Sequence, residues 1–211
     1  PVMSLHRQLL QRAADKNPIR VGLIGAGKFG SMYLAQVPRT PGVHLVAIAD
    51  LKPAIAKKNL ARVGWKPEQS AAPNAQAALR DSNTWITDDW QALVKLPEID
   101  IVVECTGSPV QAVDHILAAI AERKHVVNVT VEADAFCGPL LARRAAEARV
   151  IYSLAYGDQP AMICDLVDWA RTCGFPVVAA GRGHKWLPQF AQSTPETVWG
   201  HYGLTPEQAK R

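Results

Sequence analysis

Three glycines near the start of the chain have the spacing of a dinucleotide-binding turn. Residues 25–30 read Gly-Ala-Gly-Lys-Phe-Gly, a G-x-G-x-x-G motif that follows an apolar run and precedes a helical pattern. Gly25 would permit a tight turn, Gly27 would let the backbone approach a pyrophosphate, and Gly30 would let the helix pack closely on the strand. The first amides of that helix would face the anion. A glycine turn without a ligand is the alternative, but the complete context favours a bound nucleotide.

An acidic residue follows the motif at the distance expected for ribose recognition. Asp50 ends the second apolar run, 20 positions after Gly30, where its carboxylate can accept hydrogen bonds from the hydroxyl groups of an adenosine ribose. An acid at this place favours NAD, because it would repel a 2′-phosphate. Lys52, together with Lys57 or Lys58, could instead neutralise that phosphate and favour NADP, although surface lysines are more often simply solvated. The sequence therefore predicts NADP or NAD as the cofactor and leaves the choice open.

A second turn follows another apolar run and contains Cys105, Thr106 and Gly107. Ligands of a doubly wound sheet lie beyond the carboxyl ends of its strands. We therefore expect this turn to lie beside the ribose and nicotinamide half of the cofactor. Cys105 is better interpreted as a small buried residue than as a nucleophile, because the sequence positions no histidine to activate it.

Three residues are candidates for the proton transfer that accompanies hydride transfer to a carbonyl. Glu132 and Asp158 follow two further apolar runs, and Lys185 follows the run that ends near residue 180. Asp158 has an alternative role as the N-cap of a helix, and so has Asp134. We predict Glu132, Asp158 and Lys185 as catalytic candidates and no metal site.

The elements that would position these residues alternate along the chain. Apolar runs typical of buried strands alternate with amphipathic segments typical of helices, which predicts a parallel sheet covered on both faces. The predicted fold class is therefore α/β, a Rossmann-type doubly wound, mostly parallel sheet with an irregular C-terminal segment. Strands are predicted at 19–25, 43–50, 99–106, 125–130, 150–155 and 176–180, and the main helices at 28–37, 53–63, 109–122, 134–148 and 161–173.

The same pattern divides the chain into three parts. Residues 1–18 form a helical lead-in, residues 19–183 form the NAD(P)-binding domain, and residues 184–211 begin a substrate or oligomerisation domain. The last part is rich in aromatic residues but has no strand-like run or long helix, so we expect it to need further chain to pack against. We therefore expect the 211 residues to be a fragment of a longer enzyme.

Composition excludes several other classes of protein. The chain has 23 Lys and Arg against 19 Asp and Glu, with 48% hydrophobic residues, as in ordinary globular proteins. The basic residues are scattered, which argues against nucleic acid as a partner. No apolar run approaches the roughly 18 residues of a membrane span, and no signal peptide is recognisable. The four cysteines form no Cys-x-x-Cys pair, which argues against zinc and favours free thiols in the cytoplasm.

Four segments carry a resemblance to a known family. IRVGLIGAGKFG, IDIVVECTGSP, KHVVNVTVEAD and YSLAYGDQP are similar to the homoserine-dehydrogenase-like oxidoreductases. The closer resemblance is to the subgroup with a C-terminal SAF domain, which includes enzymes like 1-deoxy-D-xylulose-5-phosphate reductoisomerase. The resemblance covers nearly the whole chain and implies a Rossmann domain, then a substrate and oligomerisation domain, then a SAF-like domain. It implies these cofactor contacts: Gly25, Gly27, Lys28, Phe29, Gly30, Asp50, Cys105, Thr106 and Gly107.

The chain also departs from that family. Ordinary homoserine dehydrogenases carry an Asn-Lys pair where this chain has Thr130 and Val131. Their catalytic lysine and aspartate lie in a later domain, and no segment here matches it. Homoserine is therefore not indicated as the substrate.

These observations predict an NAD(P)-dependent oxidoreductase that acts on a small polar or phosphorylated carbonyl or alcohol and forms a homo-oligomer through a domain outside this chain. Two alternatives remain open. The first is a dinucleotide-binding regulatory module without catalysis, and the second is a Rossmann binder of another nucleotide or of S-adenosylmethionine.

Overall fold

The structure is a computed structural model that describes residues 4–156, 159–181, 187–194 and 196–201, together with Thr205 and Glu207. The chain contains two compact units, Pro1–Ala161 and Met162–Arg211. Glu132 of the three catalytic candidates lies within the described residues, whereas Asp158 and Lys185 lie outside them. No helix of the described part of the chain is long and apolar enough to cross a membrane.

The first unit is built around one sheet of six parallel strands in the order β3-β2-β1-β4-β5-β6. This is the doubly wound Rossmann order, and it confirms the predicted fold class. The strand order reverses between β1 and β4, so the carboxyl ends of these two strands form the switch point of the sheet. The strands are β1 Ile19–Ile24, β2 Val43–Ala49, β3 Trp85–Thr87, β4 Ile101–Glu104, β5 His125–Asn128 and β6 Tyr152–Leu154.

Helices connect the strands and begin where the sequence supplies start signals. Proline occupies the first turn of α3 and α6, where its missing N–H needs no partner. The Asn74 and Asp89 side chains accept hydrogen bonds from the first turns of α4 and α5. The helices of this unit are α1 Leu5–Ala14, α2 Lys28–Gln36, α3 Pro53–Arg62, α4 Ala75–Asp81, α5 Trp90–Val94, α6 Pro109–Ala121 and α7 Val131–Ala148.

The core lies on both faces of the sheet, because successive strand residues point to opposite sides. Val102 belongs to a cluster that contains buried residues of α5, α6 and α7. The next residue, Val103, belongs to a second cluster that contains buried residues of α2 and α3. Strands buried on both faces explain why the apolar runs in the sequence are nearly continuous.

The second unit is described in part. Helix α8, Gln159–Thr172, begins just before it, and a short helix α9, Val198–His201, lies within it. A 3₁₀ turn, Pro188–Gln192, brings Phe190 to His201, with ring centroids 4.7 Å apart. The predicted boundary between residues 183 and 184 stays a prediction.

Three details of the predicted elements are wrong. Residues 176–180 form no strand, and Val178 is 96% exposed rather than buried. Strand β3 was not predicted, because it has only three residues. Helix α7 begins at Val131 rather than near Asp134, so Asp134 is no N-cap: it lies inside the helix, where its carboxylate accepts a hydrogen bond from the Tyr152 hydroxyl.

Candidate functional site

Two glycines of the turn between β1 and α2, here called the glycine turn (residues 25–30), are required by packing. Gly25 has a φ of +97°, and a Cβ at this residue would lie 2.9 Å from the Cys105 carbonyl oxygen. A Cβ at Gly30 would collide with the Gly25 carbonyl oxygen. The fold itself therefore explains these two glycines, as expected for strand and helix in close contact.

Gly27 is different, because a Cβ there would meet no atom within 4 Å. Gly27 is also the N-cap of α2, and no side chain caps this helix. Among the described residues no hydrogen bond uses the amides of Gly27, Lys28, Phe29 or Gly30. An uncapped helix start with a bare backbone is suited to an anion, since both the amides and the helix dipole favour negative charge.

Asp50 lies directly beside this turn, at the carboxyl end of β2. One carboxylate oxygen accepts a hydrogen bond from the Ala26 amide at 2.9 Å, and the other accepts one from the Lys52 amide, also at 2.9 Å. The Asn59 side chain donates to the Ala26 carbonyl at 2.8 Å from α3. Asp50 thus fixes the glycine turn and keeps free lone pairs on its half-buried carboxylate. Lys52 is exposed.

The turn after β4, residues 105–108, here called the β4 turn, packs against the glycine turn. The Cys105 thiol is buried and donates to the Gly25 carbonyl oxygen at 2.8 Å. Burial raises the pKa of this thiol, and the charges of Glu104 and Asp50 raise it further. Cys105 is therefore a protonated donor at neutral pH, which supports its interpretation as a small buried residue and not a nucleophile.

A buried carboxylate accepts hydrogen bonds from the β4 turn on the side that faces the protein interior. Glu104, the last residue of β4, is fully buried and accepts hydrogen bonds at both oxygens. One oxygen accepts from the Thr106 hydroxyl at 2.5 Å, the Thr106 amide at 3.2 Å and the His115 ring at 3.3 Å. The other accepts from the Thr130 hydroxyl at 2.5 Å. Thr130 in turn accepts a hydrogen bond from the Gly107 amide at 3.1 Å.

Two opposing effects act on the charge of Glu104. Burial raises its pKa, but the hydrogen bonds from His115, Thr106 and Thr130 outweigh burial and lower the pKa overall. The residue is therefore ionised at neutral pH, inside the protein. A buried charge with this many partners is stable only as long as those partners stay in place.

A cleft of about 280 Å³ opens between the two turns at the switch point of the sheet. Trp90 and His115 form part of its wall, and their rings meet edge to face with centroids 4.6 Å apart. Predicted site residues at this cleft are Gly25, Gly27, Asp50, Cys105 and Thr106; its other lining residues are Ile24, Ala49, Leu51, Asp88, Trp90, Ser108, Gln111 and His115.

The remaining predicted site residues lie around this cleft or apart from it. Lys28 and Phe29 are exposed in the first turn of α2, and Gly107 is exposed in the β4 turn. Glu132 is exposed in the first turn of α7, after β5. No ion pair of Glu132 occurs among the described residues, and these residues contain no group of three side chains that could hold a metal ion.

Sequence reasoning missed the group formed by Glu104, His115 and Thr130. One signal was available: Glu104 is the one acidic residue inside the apolar run from 101 to 105. An acid in a strand buried on both faces needs partners. His115 likewise shares the spacing of Ala112, Ala119 and the other buried residues of α6.

Two family models match successive parts of the chain. The model described as "Homoserine dehydrogenase, NAD binding domain" matches residues 25–153. The model described as "Oxidoreductase DRL, catalytic domain" matches residues 157–211. The first match contains both turns and the cleft, and the second begins after β6. No curated protein matches the chain.

Solved structures share the fold of the chain. An NAD-binding oxidoreductase from Klebsiella pneumoniae has a TM-score of 0.50 at 22% identity over 74% of this chain. A homoserine dehydrogenase from Thiobacillus denitrificans has a TM-score of 0.51 at 25% identity over 65% of this chain. An oxidoreductase from Bacillus subtilis has a TM-score of 0.50 at 19% identity over 74% of it. The matches cover 39%, 29% and 39% of those chains, so this chain spans well under half their length.

Proposed function

Because this chain belongs to the family described as "Homoserine dehydrogenase, NAD binding domain", we propose that it binds a nicotinamide dinucleotide at the carboxyl ends of β1, β2 and β4. The observation that carries the proposal is the open space at Gly27. Gly25 and Gly30 are explained by packing within the protein, whereas nothing in the described chain requires a glycine at position 27. A ligand that approaches the backbone there supplies the reason.

Each part of the dinucleotide has a group of the protein with which it could interact favourably. The unpaired amides at the start of α2 would hold the pyrophosphate, and the free lone pairs of Asp50 would accept hydrogen bonds from the adenosine ribose. Asp50 favours NAD, while the exposed ammonium group of Lys52 would favour the 2′-phosphate of NADP. The β4 turn would lie against the nicotinamide half.

We propose that the complete enzyme transfers a hydride between this cofactor and a small polar or phosphorylated carbonyl or alcohol. The bound nicotinamide supplies the hydride chemistry. The protein has to supply a group that gives or takes the proton, for which Glu132, Asp158 and Lys185 stay our candidates. Support comes from the oxidoreductase catalytic-domain model on residues 157–211, a range that includes two of them.

We also propose a subgroup, an oligomeric state, partners and a location for the protein. The subgroup with a SAF domain and reductoisomerase-like members rests on the sequence segments quoted above. A homo-oligomer and a small-molecule substrate, without nucleic acid or membrane as partners, are likewise proposed and not observed. The four cysteines are free thiols, which is the support for a cytoplasmic location.

The proposal is tested by calorimetric titration of the chain with NADH, NADPH and S-adenosylmethionine. We expect one of the two dinucleotides to bind and S-adenosylmethionine not to bind. Binding of S-adenosylmethionine alone would remove the proposal. Dinucleotide binding by a full-length protein that turns over no carbonyl or alcohol substrate would favour the regulatory module instead.

The role of Gly27 has its own test, the substitution Gly27→Ala. We expect dinucleotide affinity to fall about tenfold or more, because a methyl group would occupy the space that the pyrophosphate needs. Stability should fall by no more than about 1 kcal/mol, the cost of alanine in place of glycine at a helix N-cap, because the new Cβ meets no atom within 4 Å. Gly181→Ala is the matched control for the added methyl group, since its Cβ also meets no atom within 4 Å. Equal affinity in both variants would contradict the proposed position of the pyrophosphate.

A further inference from the structure

The hydrogen bonds around Glu104 determine what the β4 turn can offer to a ligand. The Thr106 amide donates to Glu104, the Gly107 amide donates to Thr130, and the Ser108 amide donates to the Thr106 hydroxyl at 3.3 Å. The Cys105 amide donates to the Ile24 carbonyl at 2.9 Å. Every amide of the β4 turn is therefore already occupied.

Two carbonyl oxygens in the middle of the same turn are free, whereas that of Ser108 accepts a hydrogen bond from the Ala112 amide at 2.8 Å. Within the described part of the chain no hydrogen bond reaches the carbonyl oxygen of Thr106 or Gly107. Both threonine hydroxyls donate to Glu104, so their protons are also unavailable to a ligand. The backbone of the turn thus presents acceptors without donors beside a buried negative charge, and the Ser108 hydroxyl is the side-chain donor that the turn adds to the cleft. Such a surface suits a hydroxyl or carboxamide group and disfavours a phosphate.

We propose that Glu104 is a positioning residue that holds the backbone of the β4 turn, with its amides occupied and its Thr106 and Gly107 carbonyl oxygens free, against the nicotinamide half of the cofactor. The inference rests on the dinucleotide binding proposed above. Glu104 touches neither cofactor nor substrate itself; it acts through Thr106, through Thr130 and through the amide of Gly107. Because Glu104 lies at the end of β4 and is hydrogen-bonded to α6 and to Thr130 at the N-cap of α7, it also fixes the positions of these elements relative to one another.

The side chain of His115 completes this arrangement. One ring nitrogen of His115 lies 3.3 Å from Glu104, and the ring also meets Trp90 at the wall of the cleft. No hydrogen bond uses the second ring nitrogen among the described residues. Glu104 therefore fixes the orientation of a ring that lines the cleft, in the way that a carboxylate orients a histidine in many sites.

The experiment compares two ligands on the 211-residue chain and its variants. NADH contains the nicotinamide half, whereas ADP contains only the adenosine and pyrophosphate that the glycine turn would hold. Dissociation constants are measured for both, with NADPH and 2′-phosphorylated ADP in their place if the wild-type chain binds NADPH more tightly. For Glu104→Gln we expect NADH to bind about tenfold more weakly, as for loss of a hydrogen bond to a charged group, and ADP to bind as before.

Thr130 supplies a matched pair of variants that leaves the buried carboxylate in place. Thr130→Val removes the hydroxyl at nearly constant shape, while Thr130→Ser keeps it. We expect Thr130→Val to weaken NADH and spare ADP, and Thr130→Ser to behave as wild type. Exchange of the Gly107 amide with deuterated water should be faster in Thr130→Val only, because its acceptor is lost. This pair decides the question by itself if Glu104→Gln does not fold.

The possible outcomes separate the inference from the function on which it rests. A wild-type chain that binds neither NADH nor NADPH would end the proposed function and the inference together. A wild-type chain that binds, with variants in which NADH and ADP change by the same factor or not at all, would overturn the role of Glu104 alone. A loss confined to NADH in Glu104→Gln and Thr130→Val supports it.

Discussion

The glycine turn and the β4 turn follow adjacent parallel strands and pack on each other, but they differ in whether their backbone amides have hydrogen-bond partners. The glycine turn leaves the amides of residues 27–30 without partners among the described residues, whereas the β4 turn uses all four of its own. A carboxylate at the end of a strand makes much of the difference in each case. Asp50, after β2, takes one amide of the glycine turn and leaves the helix start open, while Glu104 is buried beneath the β4 turn and organises it.

This contrast explains how one sheet edge can hold a ligand with two unlike halves. A dinucleotide carries its negative charge at the pyrophosphate, where open amides and a helix dipole are favourable. Its nicotinamide half carries hydroxyl and amide donors, for which open carbonyl oxygens are the complement. In the proposed complex the same topology would give a site for an anion after one strand and a site for hydrogen-bond donors of the ligand after its neighbour. The difference lies in which amides are already hydrogen-bonded within the protein.

The largest expected effect comes from breaking the contact between the two turns. Gly30→Ala would press a methyl group on the Gly25 carbonyl oxygen, and Gly25 itself receives the Cys105 thiol. We expect the free energy of unfolding to fall by about 2 kcal/mol, the usual cost of overpacking a close contact less a gain in helix propensity. Urea unfolding measures this loss, with Gly27→Ala, which adds a methyl group without a clash, as the control that should cost no more than about 1 kcal/mol. Equal stability of the two variants would mean that the turns are not in rigid contact.

The second-largest expected effect is on the stability that the buried charge of Glu104 contributes, which is tested through the pH dependence of the free energy of unfolding. Glu104 has a pKa below its ordinary value of 4.5 in the folded chain, so its contribution to stability is fully present above pH 4.5 and is lost as the pH falls through the folded pKa. At pH 7 we expect Glu104→Gln to lower the free energy of unfolding by about 1.5 kcal/mol, because glutamine keeps one acceptor oxygen. This gap between wild type and variant should shrink progressively below pH 4.5.

Urea unfolding of both chains at a series of pH values checks this expectation. His115 is the titratable side chain in contact with Glu104, at 3.3 Å, so the series is repeated with His115→Gln in both chains to remove its titration. A gap between the chains that stays constant from neutral to acid pH would show that Glu104 does not carry its charge in the folded protein.

The two turns also differ in how far the sequence could predict them. The glycine turn is a local feature: its glycines, its flanking strand and helix, and Asp50 all lie within a short stretch with a fixed spacing. The support of the β4 turn is non-local, since Thr130 lies 26 positions from Glu104 and His115 lies 11 positions from it. Only the pairing of β4 with β5 and the packing of α6 bring these side chains together.

The same reason governs the elements of the fold. Long apolar strands such as β1 and β2 were predictable, because burial on both faces leaves a continuous signal. Strand β3 was not, because three residues are too few to show a period. The segment 176–180 has an apolar composition but is exposed at Val178, so composition without a neighbouring strand does not make a strand.

The smallest expected effect concerns the choice between NADH and NADPH on the glycine side. Asp50→Ala should weaken both ligands, because the Ala26 amide loses its acceptor, but it should weaken NADH more, because the ribose hydroxyls lose theirs. Lys52→Ala should weaken NADPH more, because its exposed ammonium group would face the 2′-phosphate.

The ratio of the two dissociation constants is therefore the quantity to measure, since damage to the turn affects both ligands alike. We expect that ratio to change about two- to fivefold in opposite directions for the two variants, the scale of one exposed charge pair. Lys95→Ala, which removes an exposed lysine outside the cleft, should leave it unchanged. If both variants shift NADH and NADPH equally, neither side chain discriminates between them, and the glycine turn alone would set the affinity through its open amides.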